Sequence, residues 1–185
     1  MPESHFFLNY FDDLQNKLYS ANTADLIQAA KLVFKTNTQK RKIICVGNGG
    51  SAAMASHITV DFTKAAGMRA INFNEADLLT CFANDFGYEN WIARALEYYA
   101  DEGDLVILIS SSGQSPNILN GAKQSKIMKL SLITLSGFQA DNPLRTEGDI
   151  NLWVDSSHYN IVEMTHHVWL LAIIDYLIEK KREIA

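Results

Sequence analysis

Two short apolar runs each stop abruptly at a loop of small residues and restart as a helix. The run KIICV at 42–46 ends in Gly47-Asn48-Gly49-Gly50-Ser51, and residues 52–62 then have helical character. The run at 104–109 ends in Ser110-Ser111-Ser112-Gly113-Gln114-Ser115, followed by a helix over about 116–126. Strands that are apolar at successive positions must be covered on both faces, as in a parallel sheet wrapped by helices. Similar strands are expected at 130–135 and 149–154, with a shorter one at 68–73. The reading is a doubly wound α/β fold. Two helices precede it over 1–40, the second capped by Thr23, and a long helix at 160–182 closes it. With no repeat and no long Gly/Ser/Pro linker, residues 1–185 read as one domain. The terminal helices carry more apolar residues than one domain requires, so the 1–40 extension is expected to pack against other subunits.

Composition narrows the function. The chain has 185 residues, is 48% hydrophobic and has a net charge of −5. The apolar content excludes a disordered chain, and the acidic balance argues against nucleic-acid binding. The longest strongly apolar run, at 168–174, is far short of the ~20 residues a bilayer demands, so no membrane span is expected. Cys45 and Cys81 both lie in apolar stretches. With no signal-like N-terminus, two thiols fit a reducing cytoplasm better than a disulfide scaffold.

Ligands of an open parallel sheet bind beyond the carboxyl ends of its strands. The glycines of 47–50 permit close backbone approach, and Ser51 is expected to cap the following helix, whose free N–H groups attract anions. Ser110, Ser111, Ser112 and Ser115 add neutral hydroxyl donors. No Walker lysine follows either loop, and GNGGSA lacks the final glycine of a dinucleotide fingerprint. Hydroxyls without a lysine suit a phosphate monoester that exchanges readily, such as a sugar phosphate. Asp85, in the segment ANDFGY at 83–88, is either a sugar ligand or a helix-capping carboxylate. His57 and Asp61 share a helix face, and Glu163, His166 and His167 lie within one turn. These groups suit acid–base work on a sugar carbon, or a divalent metal, or ordinary helix hydrogen bonding.

In order, GNGGS, ANDFGY, SSSGQSPN and LITLSG resemble the SIS (sugar isomerase) family over nearly the whole chain, and within it the phosphoheptose isomerases and their relatives. The resemblance implies a five-stranded parallel sheet and a homotetramer or homodimer with sites between subunits. It implies phosphate binding by Ser110, Ser112 and Ser115 with help from Ser111, and sugar contacts from Asn48, Gly49, Ser51 and Asp85. The implied reaction converts sedoheptulose 7-phosphate to a heptose 7-phosphate through an enediol, toward surface polysaccharide. Asp61, His57, Glu163 and His166 are the expected catalytic groups, and zinc on His57 and Asp61 the possible cofactor. Asp61 stands where the family has Glu. The family's Gln and later His on the last helix fall here on Met164 and Ala172, or on Val162, Leu170 and Leu171. A phosphosugar-binding regulatory or initiator-associating protein is therefore the alternative expectation.

Overall fold

The computed structural model describes residues 3–184. Helices α1 (Glu3–Tyr19) and α2 (Thr23–Thr38) lead into strand β1 (Ile43–Gly47), which feeds helix α3 (Gly49–Val60). A π-helical turn, Asp61–Ala65, extends α3 toward strand β2 (Ala70–Asn72). Helices α4 (Ala76–Phe86) and α5 (Trp91–Tyr99) precede strand β3 (Leu105–Ser110) and helix α6 (Pro116–Ile127). Strand β4 (Ser131–Ser136), a 3₁₀ turn at Pro143–Thr146, strand β5 (Ile150–Trp153) and helix α7 (Tyr159–Ile184) complete the chain.

The five strands are all parallel, in the order β2-β1-β3-β4-β5. This is the expected doubly wound α/β architecture. β1, β3 and most of β4 are buried throughout because helices cover both faces. One core cluster joins Ile43, Cys45, Ile107, Ile109, Ile133 and Leu135 to α2, α3 and α7. The other joins Ile44, Val46, Val106, Leu108 and Leu132 to α5 and α6. Alternate residues of one strand serve opposite cores, as the two-residue period of a strand requires.

Several local expectations differ. Asn22, not Thr23, caps α2, its side chain accepting from the Ala24 N–H at 3.0 Å. α3 begins at Gly49, so Ser51 lies inside its first turn instead of capping it. α4 and α5 occupy a stretch to which the sequence reading assigned no element. Cys45 is buried, and burial pushes its thiol up to about 12, but Cys81 is exposed on α4. By length and mean hydropathy (1.4 over its best 18 residues), α7 could cross a bilayer, which the short apolar run at 168–174 did not suggest. Half of that window is instead buried inside the fold, where α7 packs on α1, α2 and α3.

Topology places the two special loops side by side. Gly47, the last residue of β1, pairs with Ile109 next to the end of β3. From there the chain winds one way to β2 and the other way to β4. That reversal opens a crevice at the carboxyl ends of β1 and β3.

Candidate functional site

The crevice holds a cleft of about 240 Å³ between the Asn48–Ser51 turn, the Ser110–Ser115 loop and the first turns of α7. The N-termini of α3 and α6 both open onto it, so unpaired backbone N–H groups face the space. Ser115 occupies the N-cap position of α6 but its hydroxyl makes no cap bond; it lies 3.4 Å from the Ser110 hydroxyl. Ser112 accepts the Gln114 N–H at 3.2 Å. The Ser111 hydroxyl is buried with no partner among the described residues. A buried polar atom left unpaired costs stability, so this hydroxyl is spare bonding capacity at the cleft wall. Gly113 makes the tight loop possible: its φ is +65°, and a side chain there would strike the buried Asn142.

Asn48 is held from behind. Its Nδ2 donates to Asn117 Oδ1 at 3.0 Å, and its Oδ1 accepts from Asn117 Nδ2 at 2.8 Å and from the Tyr88 hydroxyl at 3.2 Å. The carbonyl oxygen is thereby saturated, leaving one N–H of the amide for a ligand. Asn117 and Tyr88 were not singled out in the sequence. Both lie within the recognised motifs SSSGQSPN and ANDFGY, and only tertiary contact reveals their role.

Among the described residues, Glu163 is the carboxylate that lines the cleft. Its carboxylate sits where a side chain at position 50 would be, so only glycine at 50 leaves room. Partial burial raises its pKa above the ordinary glutamate value. A carboxylate with a raised pKa beside neutral donors is equipped to take a proton from carbon.

The other expected catalytic residues are not in this cleft. His57 and Asp61 lie farther along α3 and its π-helical extension. His57 Nε2 is 3.4 Å from Asp61 Oδ2, and His57 Nδ1 hydrogen-bonds His167 Nε2 at 2.9 Å. Burial and the neighbouring imidazole hold the His167 pKa below the usual value. His57 thus contacts both Asp61 and His167. Among the described residues no group of three or more His, Cys, Asp or Glu is disposed to hold a metal, so the expected zinc site does not fit them. Asp85 is exposed near the end of α4 and accepts from the Asn84 amide at 2.9 Å. In this chain Tyr88, not Asp85, links its motif to the cleft.

His166 enters the core and does not line the cleft. It is fully buried, with Nε2 donating to the Ser136 carbonyl at 3.0 Å and Nδ1 without a partner among the described residues. Burial lowers its pKa to about 4. It therefore stays neutral and structural. The consequence for stability has a definite sign. The unfolded chain takes up this proton below pH ~6.5, while the folded chain resists until about 4. Stability is thus unaffected at neutral pH and is lost as pH falls from about 6.5 to about 4, by roughly 3 kcal/mol in all. Denaturant melts of wild type and His166→Gln across this range check it: the variant loses this part of the acid dependence. An equal slope in both proteins removes His166 as its source.

A doubly wound sheet with two helix N-termini and a hydroxyl-lined cleft at its switch point defines an anion-binding α/β protein. The sequence comparisons then place it: the chain belongs to the SIS-domain family, whose model matches residues 6–137. A phosphoheptose isomerase of Helicobacter pylori is 32% identical over 91% of this chain and 90% of its own length. One of Buchnera aphidicola is 29% identical over 92% and 91%. The structure of a phosphoheptose isomerase from Francisella tularensis superposes with a TM-score of 0.87, covering 97% of this chain and 100% of that one, at 23% identity.

Proposed function

We propose that this protein is a sugar-phosphate isomerase that interconverts sedoheptulose 7-phosphate and a heptose 7-phosphate. The observation that carries the reading is Glu163 in the same cleft as the serine loop, in a chain similar end to end to proteins named phosphoheptose isomerase. Ser110, Ser111, Ser112 and Ser115, with the α6 N-terminus, hold the phosphate. Asn48, Gly49 and Ser51 border the sugar. The Glu163 carboxylate takes the proton from the carbon beside the carbonyl and returns it to the carbonyl carbon. The intermediate is an enediol or its enediolate; a proton passes from the substrate's hydroxyl oxygen to the former carbonyl oxygen, and donors around both oxygens stabilise the charge that develops there.

The chain is further proposed to act as a cytoplasmic homo-oligomer. Support comes from α1, where Phe6, Phe7, Leu8 and Phe11 are each about 60% exposed. So many large apolar side chains left exposed on one helix are unusual on a monomer and typical of an interface. Equilibrium sedimentation tests it.

The functional test is incubation with sedoheptulose 7-phosphate in deuterium oxide, followed by proton NMR, with and without zinc. Conversion to the aldose with deuterium uptake beside the carbonyl is expected without added zinc. Turnover only with zinc places a metal requirement on groups this cleft does not contain. Binding of the phosphosugar with neither conversion nor exchange removes the heptose isomerase reading and leaves a binding protein. That outcome would agree with the apolar residues that fall where the family has its Gln and His, Met164 and Ala172 or Val162, Leu170 and Leu171.

A further inference from the structure

We propose that Tyr159, braced by Phe138, is the residue that reads the sugar end of the phosphosugar; the inference rests on the phosphosugar reading of the cleft. Tyr159 opens α7 and lines the cleft with Glu163. The two are four residues apart, hence on one face of the helix, so a substrate positioned on Glu163 lies along the tyrosine. Tyr159 is 59% exposed, and its hydroxyl makes no hydrogen bond to the described residues.

Something holds it there. Phe138 meets the Tyr159 ring edge to face, with centroids 4.8 Å apart and planes at 73°. Phe138 itself has a φ of +56°, a conformation that bulky side chains rarely adopt. Such outliers persist where surrounding contacts over-determine them, and they cluster at ligand sites. Here the contacts are visible. The Phe138 N–H donates to the Ser156 carbonyl at 2.9 Å, tying it to the segment that enters α7. The adjoining Gly137 N–H donates to the Ser111 carbonyl at 2.9 Å, tying it to the serine loop. The strained residue therefore fixes the tyrosine relative to the phosphate anchor. A rigid aromatic wall at a set distance from the anchor discriminates among carbon skeletons at little entropic cost.

Calorimetric binding of sedoheptulose 7-phosphate and of inorganic phosphate tests this in wild type, Tyr159→Phe, Tyr159→Ala and Phe138→Gly, and in the double variant Phe138→Gly/Tyr159→Ala. Glycine at 138 accepts the positive φ, so the backbone is kept while the brace is removed. Tyr159→Ala is expected to weaken phosphosugar binding about tenfold, with phosphate binding changed less than about twofold. Tyr159→Phe keeps the ring and most of the affinity. Phe138→Gly loses nearly as much as Tyr159→Ala, and the double variant loses no more than either, because brace and reader act as one unit. Unchanged phosphosugar affinity in Tyr159→Ala overturns the proposal. So does an equal loss of phosphate affinity, which marks a merely structural role. Turnover enters none of these readouts. A chain that binds the phosphosugar without isomerising it therefore overturns the isomerase reading and leaves the role of Tyr159 standing.

Discussion

Glu163→Gln lowers turnover of the phosphosugar by about 10²–10⁴-fold, the range expected when a positioned general base is removed. Phosphosugar affinity changes little, because glutamine fills the same space against Gly50 and the serine loop is untouched. The pH profile separates loss of a base from loss of structure. Catalysis needs the carboxylate, and burial raises the pKa of Glu163. The wild-type rate therefore falls as pH drops through a value above the ordinary glutamate range, and the variant's residual rate lacks that limb. Steady-state kinetics across pH measure both. A loss of less than about tenfold puts the base elsewhere, with the His57–Asp61–His167 group as the next candidate.

The second large effect is on stability, at the opposite end of the sheet. Lys42 and Asp104 stand at the entries to β1 and β3, with side chains 9% and 1% exposed and Nζ and Oδ2 2.5 Å apart. Asp104 also accepts the Lys42 N–H at 2.9 Å and the Asp101 N–H at 2.8 Å, so one carboxylate pins two strand-entry segments. Asp101 takes a second bond from Lys42, which lowers its pKa, but it is largely exposed and contributes less. Asp104→Ala leaves two N–H groups without their acceptor and the buried ammonium with only the exposed Asp101 as counter-charge, and costs about 3 kcal/mol. For a chain of this size that is a fall in Tm of order 10 °C. Lys42→Met strands the carboxylate at a similar cost. Replacing both by apolar residues costs less than either single change, because no charge is left buried alone. Calorimetric melts of the three variants check the ordering. A double variant as unstable as the sum of the singles means the pair is not acting as a pair.

Much of the fold was legible because a parallel sheet imposes a simple rule. β1, β3 and β4 are buried on both faces, so their residues are apolar without alternation, and each must end where the chain turns into a helix. The serine and glycine loops were legible because their composition states their backbone requirements. β2 was expected over twice its length, since its three half-buried residues carry little pattern of their own. α4 was not read at all: none of its residues is fully buried, and its apolar positions face the fold only partly.

The ionisable groups were the least legible part. Glu163, His166 and His167 are neighbours in sequence, yet Glu163 reaches the cleft, His166 enters the core and His167 meets His57. Which one does which depends on the rotation of α7 about its axis. α7 is packed on several sides, against α1, α2 and α3, so its apolar pattern marks no single inner face from which that rotation could be read. Asp85 and Tyr88 are three residues apart, and the glycine between them, at φ +83°, ends α4 and turns Tyr88 toward Asn48 while Asp85 stays exposed near the helix end. The sequence by itself thus determined the sheet type and where its ligand-binding edge lies, because local backbone chemistry and two-sided burial are written residue by residue. Only the tertiary structure decided which carboxylate and which imidazole work at that edge, because helix rotation is set by packing partners far away in the chain.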